Sequence, residues 1–136
     1  MTLEHAKDVQ RLSGQLGYPM SIRDIQSNIR ELMITRDHVA FVALWNEKVV
    51  GWIHAFRGLL LESNPFIEIG GLVIDEDHRG KGIGKELVEK IKEWCLEKGF
   101  QTLRVRSNIK RIEAHKFYLN LGFTEIKEQK VFQMQL

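Results

Sequence analysis

Phe66-Ile67-Glu68-Ile69-Gly70-Gly71-Leu72-Val73-Ile74-Asp75-Glu76-Asp77-His78-Arg79-Gly80-Lys81-Gly82-Ile83-Gly84-Lys85 is the stretch that decides the fold of this 136-residue chain. Its first half is apolar and rich in β-branched residues, which suits a buried strand. Its second half turns polar, then glycine-rich, directly before an amphipathic run, so the whole reads as strand, loop and helix start. Gly80, Gly82 and Gly84 remove three Cβ atoms where free backbone N–H groups and the helix dipole both favour a negative group, and a phosphate fits that chemistry. Spacing argues against two common phosphate loops. A Walker loop ends in Gly-Lys followed by Ser or Thr, with a glycine five places before; here Glu86 follows Gly84-Lys85 and Arg79 holds the earlier position. A dinucleotide fingerprint needs a glycine where this chain has Lys85, and no clear second βαβ half is present.

Working outward, 43% hydrophobic residues in 136 suffice for one good core, so a single domain over 1–136 is expected. Twenty basic against 18 acidic residues give a formal charge of +2, without the broad basic field that nucleic-acid binding usually needs. Cys95 is the single cysteine and reads as core. No apolar run is long enough for a bilayer and no signal-peptide core opens the chain, so a reducing cytoplasm and no membrane are the default expectation. None of His5, His38, His54, His78 and His115 sits at a metal-ligand spacing, and no metal is expected.

Leu3 to Leu16 has near-helical apolar spacing and stops at Gly17-Tyr18-Pro19; Ser21 to Asp24 resembles a capping box opening a second helix to about Met33. Val39–Leu44 and Val49–Leu60 read as a hairpin around Asn46, and the exposed-looking Leu59, Leu60 and Leu61 suggest a lid or a dimer surface. Gly70-Gly71 inside a strand calls for a bulge or a close approach by another backbone or a ligand. A helix follows Gly84 and ends at Lys98-Gly99; Thr102–Val105 is then a strand, parallel to the central one because the crossover is long enough. Ala114, Phe117, Tyr118 and Leu121 lie on one helical face before Gly122, and Phe123–Ile126 and Val131–Leu136 read as two closing strands.

Arg79-Gly80-Lys81-Gly82-Ile83-Gly84 resembles the Arg/Gln-x-x-Gly-x-Gly/Ala loop of the GCN5-related N-acetyltransferase family. A second, separate match runs from Asn108 through Ala114-His115-Lys116-Phe117-Tyr118 to Gly122-Phe123, which is similar to that family's Asn...Ala-x-x-Phe-Tyr-x-x-x-Gly-Phe segment. The resemblance covers nearly the whole chain and implies an α/β (α+β) fold: a mixed, mostly antiparallel sheet with a splayed parallel central strand pair and flanking helices. The strand that usually precedes the first helix in the family is not evident here.

The resemblance also implies acetyl-CoA as cosubstrate. Leu72, Val73 and Ile74 would pair with its pantetheine arm, and the backbone of Arg79, Gly80, Lys81, Gly82, Ile83, Gly84 and Lys85 would hold its pyrophosphate. Lys81 reads equally as part of a solvated surface. Asn108 resembles a cofactor-arm ligand, or else caps the last helix. Transfer to an amine needs the neutral nucleophile. Glu68, eleven residues before Arg79 (79 − 68), stands where histone-type members keep a general base, and a lone carboxylate in an apolar strand would have a raised pKa if buried. Against that stand a solvent-facing Glu68 and relatives that use water chains; Glu62 is a second candidate. Tyr118 resembles the tyrosine that protonates the coenzyme A thiolate, with plain core packing as its alternative. The expected function is therefore N-acetyl transfer to a primary amine of a small molecule or a protein, with Leu16-Gly17-Tyr18-Pro19 leaning towards small molecules and a homodimer common in the family. Two other functions compete: a non-catalytic acyl-CoA sensor on the same fold, and nucleic-acid binding through Arg104, Arg106, Lys110 and Arg111, which lacks an aromatic platform.

Overall fold

The computed structural model describes residues 1–136, which form two compact units, Met1–Arg106 and Ser107–Leu136. The first enters through a single 3-10 turn at Leu3–His5 and continues as α1 (Ala6–Leu16), α2 (Ile22–Ile34), β1 (His38–Trp45), β2 (Lys48–Gly58), β3 (Phe66–Ile74), α3 (Ile83–Glu97) and β4 (Leu103–Val105). The second carries α4 (Ile112–Asn120). No strand precedes α1 within residues 1–136.

Local chemistry sets the boundaries. Gly17 ends α1 in the left-handed region at φ 98°, and the Ser21 hydroxyl caps α2 by accepting from the Asp24 N–H at 3.1 Å. Asn46 and Glu47, at φ 48° and 65°, make a two-residue turn whose positive φ values match the twist of a tight hairpin. The strands follow the order β1-β2-β3-β4, antiparallel except for the final β3–β4 pair.

Alternation along β2 sorts the sheet into two faces. Gly51 looks towards Leu87 of α3, so α3 covers the face that buries Ile53 and Ala55. On the opposite face Trp52 packs with Ala6 and Val9 of α1 and Ile25 and Ile29 of α2. His54 and Phe56 continue that second face.

The parallel ladder is short. Ile67, Glu68 and Ile69 stand opposite Leu103, Arg104 and Val105, and beyond them β3 is paired by β2 alone. A bulge marks the same place: His54 pairs with Gly71 and Ala55 with Ile69, leaving Gly70 as the extra residue. The next residue is glycine for a reason the sequence did not suggest: a Cβ on Gly71 would lie 2.7 Å from the Trp52 side-chain ring.

One expectation fails. Phe123–Ile126 and Val131–Leu136 are not strands, and Val131, Phe132, Met134 and Leu136 are exposed. Alternating apolar residues favour a strand only where a ladder and a covering layer receive them, and this segment forms no ladder.

Because Trp52 is fixed between two helices and the sheet, it cannot yield to an added methyl group. Replacing Gly71 by Ala should therefore cost about 1–3 kcal/mol of stability, measured by denaturant unfolding.

Candidate active site

Where β3 leaves β4, the backbone of Gly70–Ile74 has one edge free of any strand, and the chain then turns into the start of α3. Gly80 and Gly82 both adopt left-handed φ values, 77° and 81°, and nothing lies within 4 Å of where their Cβ atoms would be. Gly82 is the N-cap of α3, and Glu86 is the first amide to find an intrahelical acceptor, the Gly82 carbonyl at 3.1 Å. The Ile83, Gly84 and Lys85 N–H groups thus point out of the helix end, at its positive pole. The loop and the free strand edge are joined by Arg79, whose Nε donates to the Ile74 carbonyl at 3.2 Å. Lys81 lies over the Trp45 ring, 4.7 Å from its centroid, so it has a defined place and is not simply a solvated lysine.

A buried carboxylate anchors this turn. Asp75 is only 3% exposed. It accepts from Gln15 Nε2 at 3.2 Å, faces Arg11 at 3.5 Å and meets His78 Nδ1 at 3.2 Å. Gln15 uses its other amide atom to accept the Glu76 N–H at 3.0 Å, so α1 grips the loop at two consecutive residues. The Gln15 hydrogen bond is the largest influence holding the Asp75 pKa below its ordinary value; the Asp77 backbone, Arg11 and His78 act in the same sense, and burial opposes them. Sequence reading passed over Asp75 because Gln15, which holds it, lies 60 residues away on α1.

Glu68 is buried, at 8% exposed, which removes the solvent-facing reading. It is not a lone carboxylate, however. Arg106 donates through Nε to Glu68 Oε1 at 3.2 Å while remaining largely exposed itself. Arg104 is engaged too, stacked over the Phe66 ring at 4.1 Å, so two arginines considered for nucleic-acid contact have partners within the fold. Across the sheet, His38, Phe56, Glu68 and Arg104 form one row of cross-strand partners on a shared face. Glu62 lies in the connection between β2 and β3, where Leu59, Leu60 and Leu61 are exposed.

In the second unit, Asn108 is not the N-cap of α4, a place held by Arg111. Its Oδ1 accepts the Lys110 N–H at 2.9 Å and its carbonyl meets His115 Nε2 at 2.9 Å, which orders the turn and leaves the side-chain NH2 free. Tyr118 sits edge-on to Phe117 and Phe123, with centroids 5.1 and 5.5 Å away. Burial pushes the Tyr118 phenol up, and the Arg111 charge only partly offsets it. The phenol therefore stays protonated at neutral pH.

Comparison with known proteins agrees with this geometry. The sequence profile of the Acetyltransferase (GNAT) family matches residues 7–123. The chain belongs to that family. It is 32% identical over 107 residues to an N-acetylaspartate synthetase of Xenopus tropicalis, covering 78% of this chain and 38% of that protein. It is 35% identical over 85 residues to an aminoalkylphosphonate N-acetyltransferase of Salmonella typhimurium, covering 62% of this chain and 55% of that one. The chain thus spans between about a third and a little over half of these relatives' lengths. In fold it is similar to the aminoglycoside N-acetyltransferase AAC(6')-Iy solved in complex with CoA, at a TM-score of 0.89 and 18% identity, over 100% of this chain and 92% of that one. This GNAT chain has no group of three or more His, Cys, Asp or Glu placed to hold a metal, and no helix long and apolar enough to cross a membrane.

The Asp75 anchor gives a pH prediction. A carboxylate with a depressed folded-state pKa stabilises fully above its unfolded value of 3.8, and that stability disappears as pH falls through the lower folded value. Asp75→Asn should lose about 1–3 kcal/mol at pH 7, and its stability should fall less than the parent's below the ordinary aspartate pKa, both read by urea titrations across pH.

Proposed function

We propose that this chain is an acetyl-CoA-dependent N-acetyltransferase acting, as one domain, on a primary amine of a small molecule. The observation that carries the reading is the free edge of β3, running from the Gly70 bulge to a helix end with outward N–H groups. A pantetheine arm has amides that a sheet edge can bind, and it ends in a pyrophosphate that a helix N-terminus can bind. Leu72, Val73 and Ile74 take the arm. Arg79, Gly80, Lys81, Gly82, Ile83, Gly84 and Lys85 take the pyrophosphate, and Asn108 offers its free side-chain NH2 to the arm. That the named relatives are N-acetyltransferases of small amines or amino acids, and that a structural relative binds CoA, supports the choice of ligand and the preference for a small acceptor over a protein.

With the acyl donor in place, this chain's residues supply proton handling. Glu68 presents a buried carboxylate that attracts the acceptor ammonium, with Arg106 as its partner until the ammonium arrives. It accepts the ammonium proton directly or through water. Tyr118 keeps its proton at neutral pH and gives it to the departing thiolate; a phenol near pKa ~10 and a thiol near ~8.5 are close enough for that exchange. The second reading, a non-catalytic acyl-CoA sensor, draws on the same Arg106 contact, because a capped carboxylate is less free to act. Steady turnover decides between them.

A panel of small primary amines assayed with acetyl-CoA should show turnover. Tyr118→Phe should lower kcat by about 100-fold or more, within the range for loss of a positioned acid, while acetyl-CoA affinity stays near parental. Glu68→Gln should raise KM for the amine and lower kcat. No turnover by the parent on any amine would favour the sensor, and unchanged kcat in Tyr118→Phe would remove its acid role.

A further inference from the structure

His38 and His54 meet on the sheet face that carries Glu68. His38 Nδ1 and His54 Nε2 are 2.9 Å apart, and Phe56 flanks both rings at 5.6 and 5.9 Å. The two imidazole planes lie within 8° of each other. This contact is the only hydrogen bond of the His54 ring, so its Nδ1 is unengaged. That nitrogen faces the bulge: a Cβ on Gly70 would stand 3.0 Å from it, and Gly70 itself is exposed. Glycine at this one position therefore keeps His54 Nδ1 uncovered at the residue where β3 parts from β4.

The location is specific. On the proposed function, on which this inference rests, an arm bound from the α3 end along Ile74 and Leu72 brings its acyl end to Gly70. Glu68 pairs with Phe56, two residues from His54 on the same face, so the carboxylate and the imidazole are diagonal neighbours across the β2–β3 pair.

We propose that the His38–His54 pair is the outlet by which the acceptor's proton leaves the active site. The incoming ammonium gives its proton through Glu68 and water to His54 Nδ1. As it arrives, the His54 Nε2 proton moves to His38 Nδ1 and the His38 Nε2 proton passes to solvent. The neutral amine then attacks the thioester carbon; the C–N bond forms, the C–S bond breaks, and the remaining surplus N–H proton ends on the coenzyme A thiolate. Exchange with solvent restores the starting tautomers.

The surroundings suit a relay that rests neutral. Burial first, and the charge of His38 second, push the His54 pKa down to about 4. The other charged groups facing this region are Glu68 with its partner Arg106, Arg104 over Phe66, and the Met1 ammonium, which donates at 3.2 Å to the carbonyl of Ala40, His54's cross-strand partner on β1. The α1 and α2 helices present apolar side chains to the adjacent Trp52.

The test compares His54→Phe, His38→Phe and His54→Ala with the parent, after confirming that each still gains thermal stability with acetyl-CoA. At pH 7 each should lose about 10- to 100-fold in kcat, as for removal of one proton-transfer group. The deficit should shrink as pH rises past the acceptor's own pKa, where the amine arrives neutral, and added imidazole should restore part of the rate in His54→Ala. A parental kcat–pH profile in the Phe variants, or a loss equal at every pH and unmoved by imidazole, overturns the relay while leaving the acetyltransferase standing. A parent that turns over no amine overturns the acetyltransferase itself, and the relay with it.

Discussion

The proposed site in this GNAT chain depends on where a parallel ladder stops. A strand in the middle of a sheet has both edges filled, and β3 begins that way, held between β2 and β4 over Ile67–Ile69. One extra residue, Gly70, then turns its path, and the five residues to Ile74 keep hydrogen-bonding groups on one side that no strand takes. An unfilled edge is normally a hazard that proteins cover or interrupt. Here it leads straight into a helix end rich in free N–H groups, so a polar, extended, anionic ligand matches the whole length at once.

The same turn explains why a charged group is buried beside it. Asp75 closes the strand and ties the loop to α1 through Arg11 and Gln15, fixing the approach of the glycine turn to the helix. Fixing it matters because Gly80 and Gly82 are chosen for conformational freedom and supply no packing of their own. Trp45 adds a second tie by holding Lys81 against the hairpin. The face that carries Glu68 combines an ion pair, an arginine stacked on Phe66 and two histidines, and this polar row sits beside the hydrophobic cluster around Trp52.

Local signals in the sequence were legible: the capping Ser21, the Asn46 turn, the glycine stop at Gly17 and the glycine loop before α3 all appear where short-range rules put them. Gly70-Gly71 was legible as a bulge, which Gly70 forms; the Trp52 ring that crowds Gly71 was not foreseen. Long-range partners were not. The Glu68–Arg106 contact spans 38 residues and the Asp75–Gln15 contact 60, and nothing in either neighbourhood announces them. His38 and His54 were weighed only as metal ligands, yet sixteen residues across a hairpin is the separation that sets them side by side. The closing strands show the opposite failure, in which alternation at Val131–Leu136 was read as structure without a neighbour to complete it.

The most direct measurement of the central claim is amide hydrogen exchange, residue by residue, with and without acetyl-CoA. Exchange should slow at Leu72 and Ile74 on the free edge and at Ile83, Gly84 and Lys85 at the helix end, with ATP and NADH producing no protection along the strand. Protection confined to other parts of the chain, or exchange at these amides unchanged by saturating acetyl-CoA, would contradict the account.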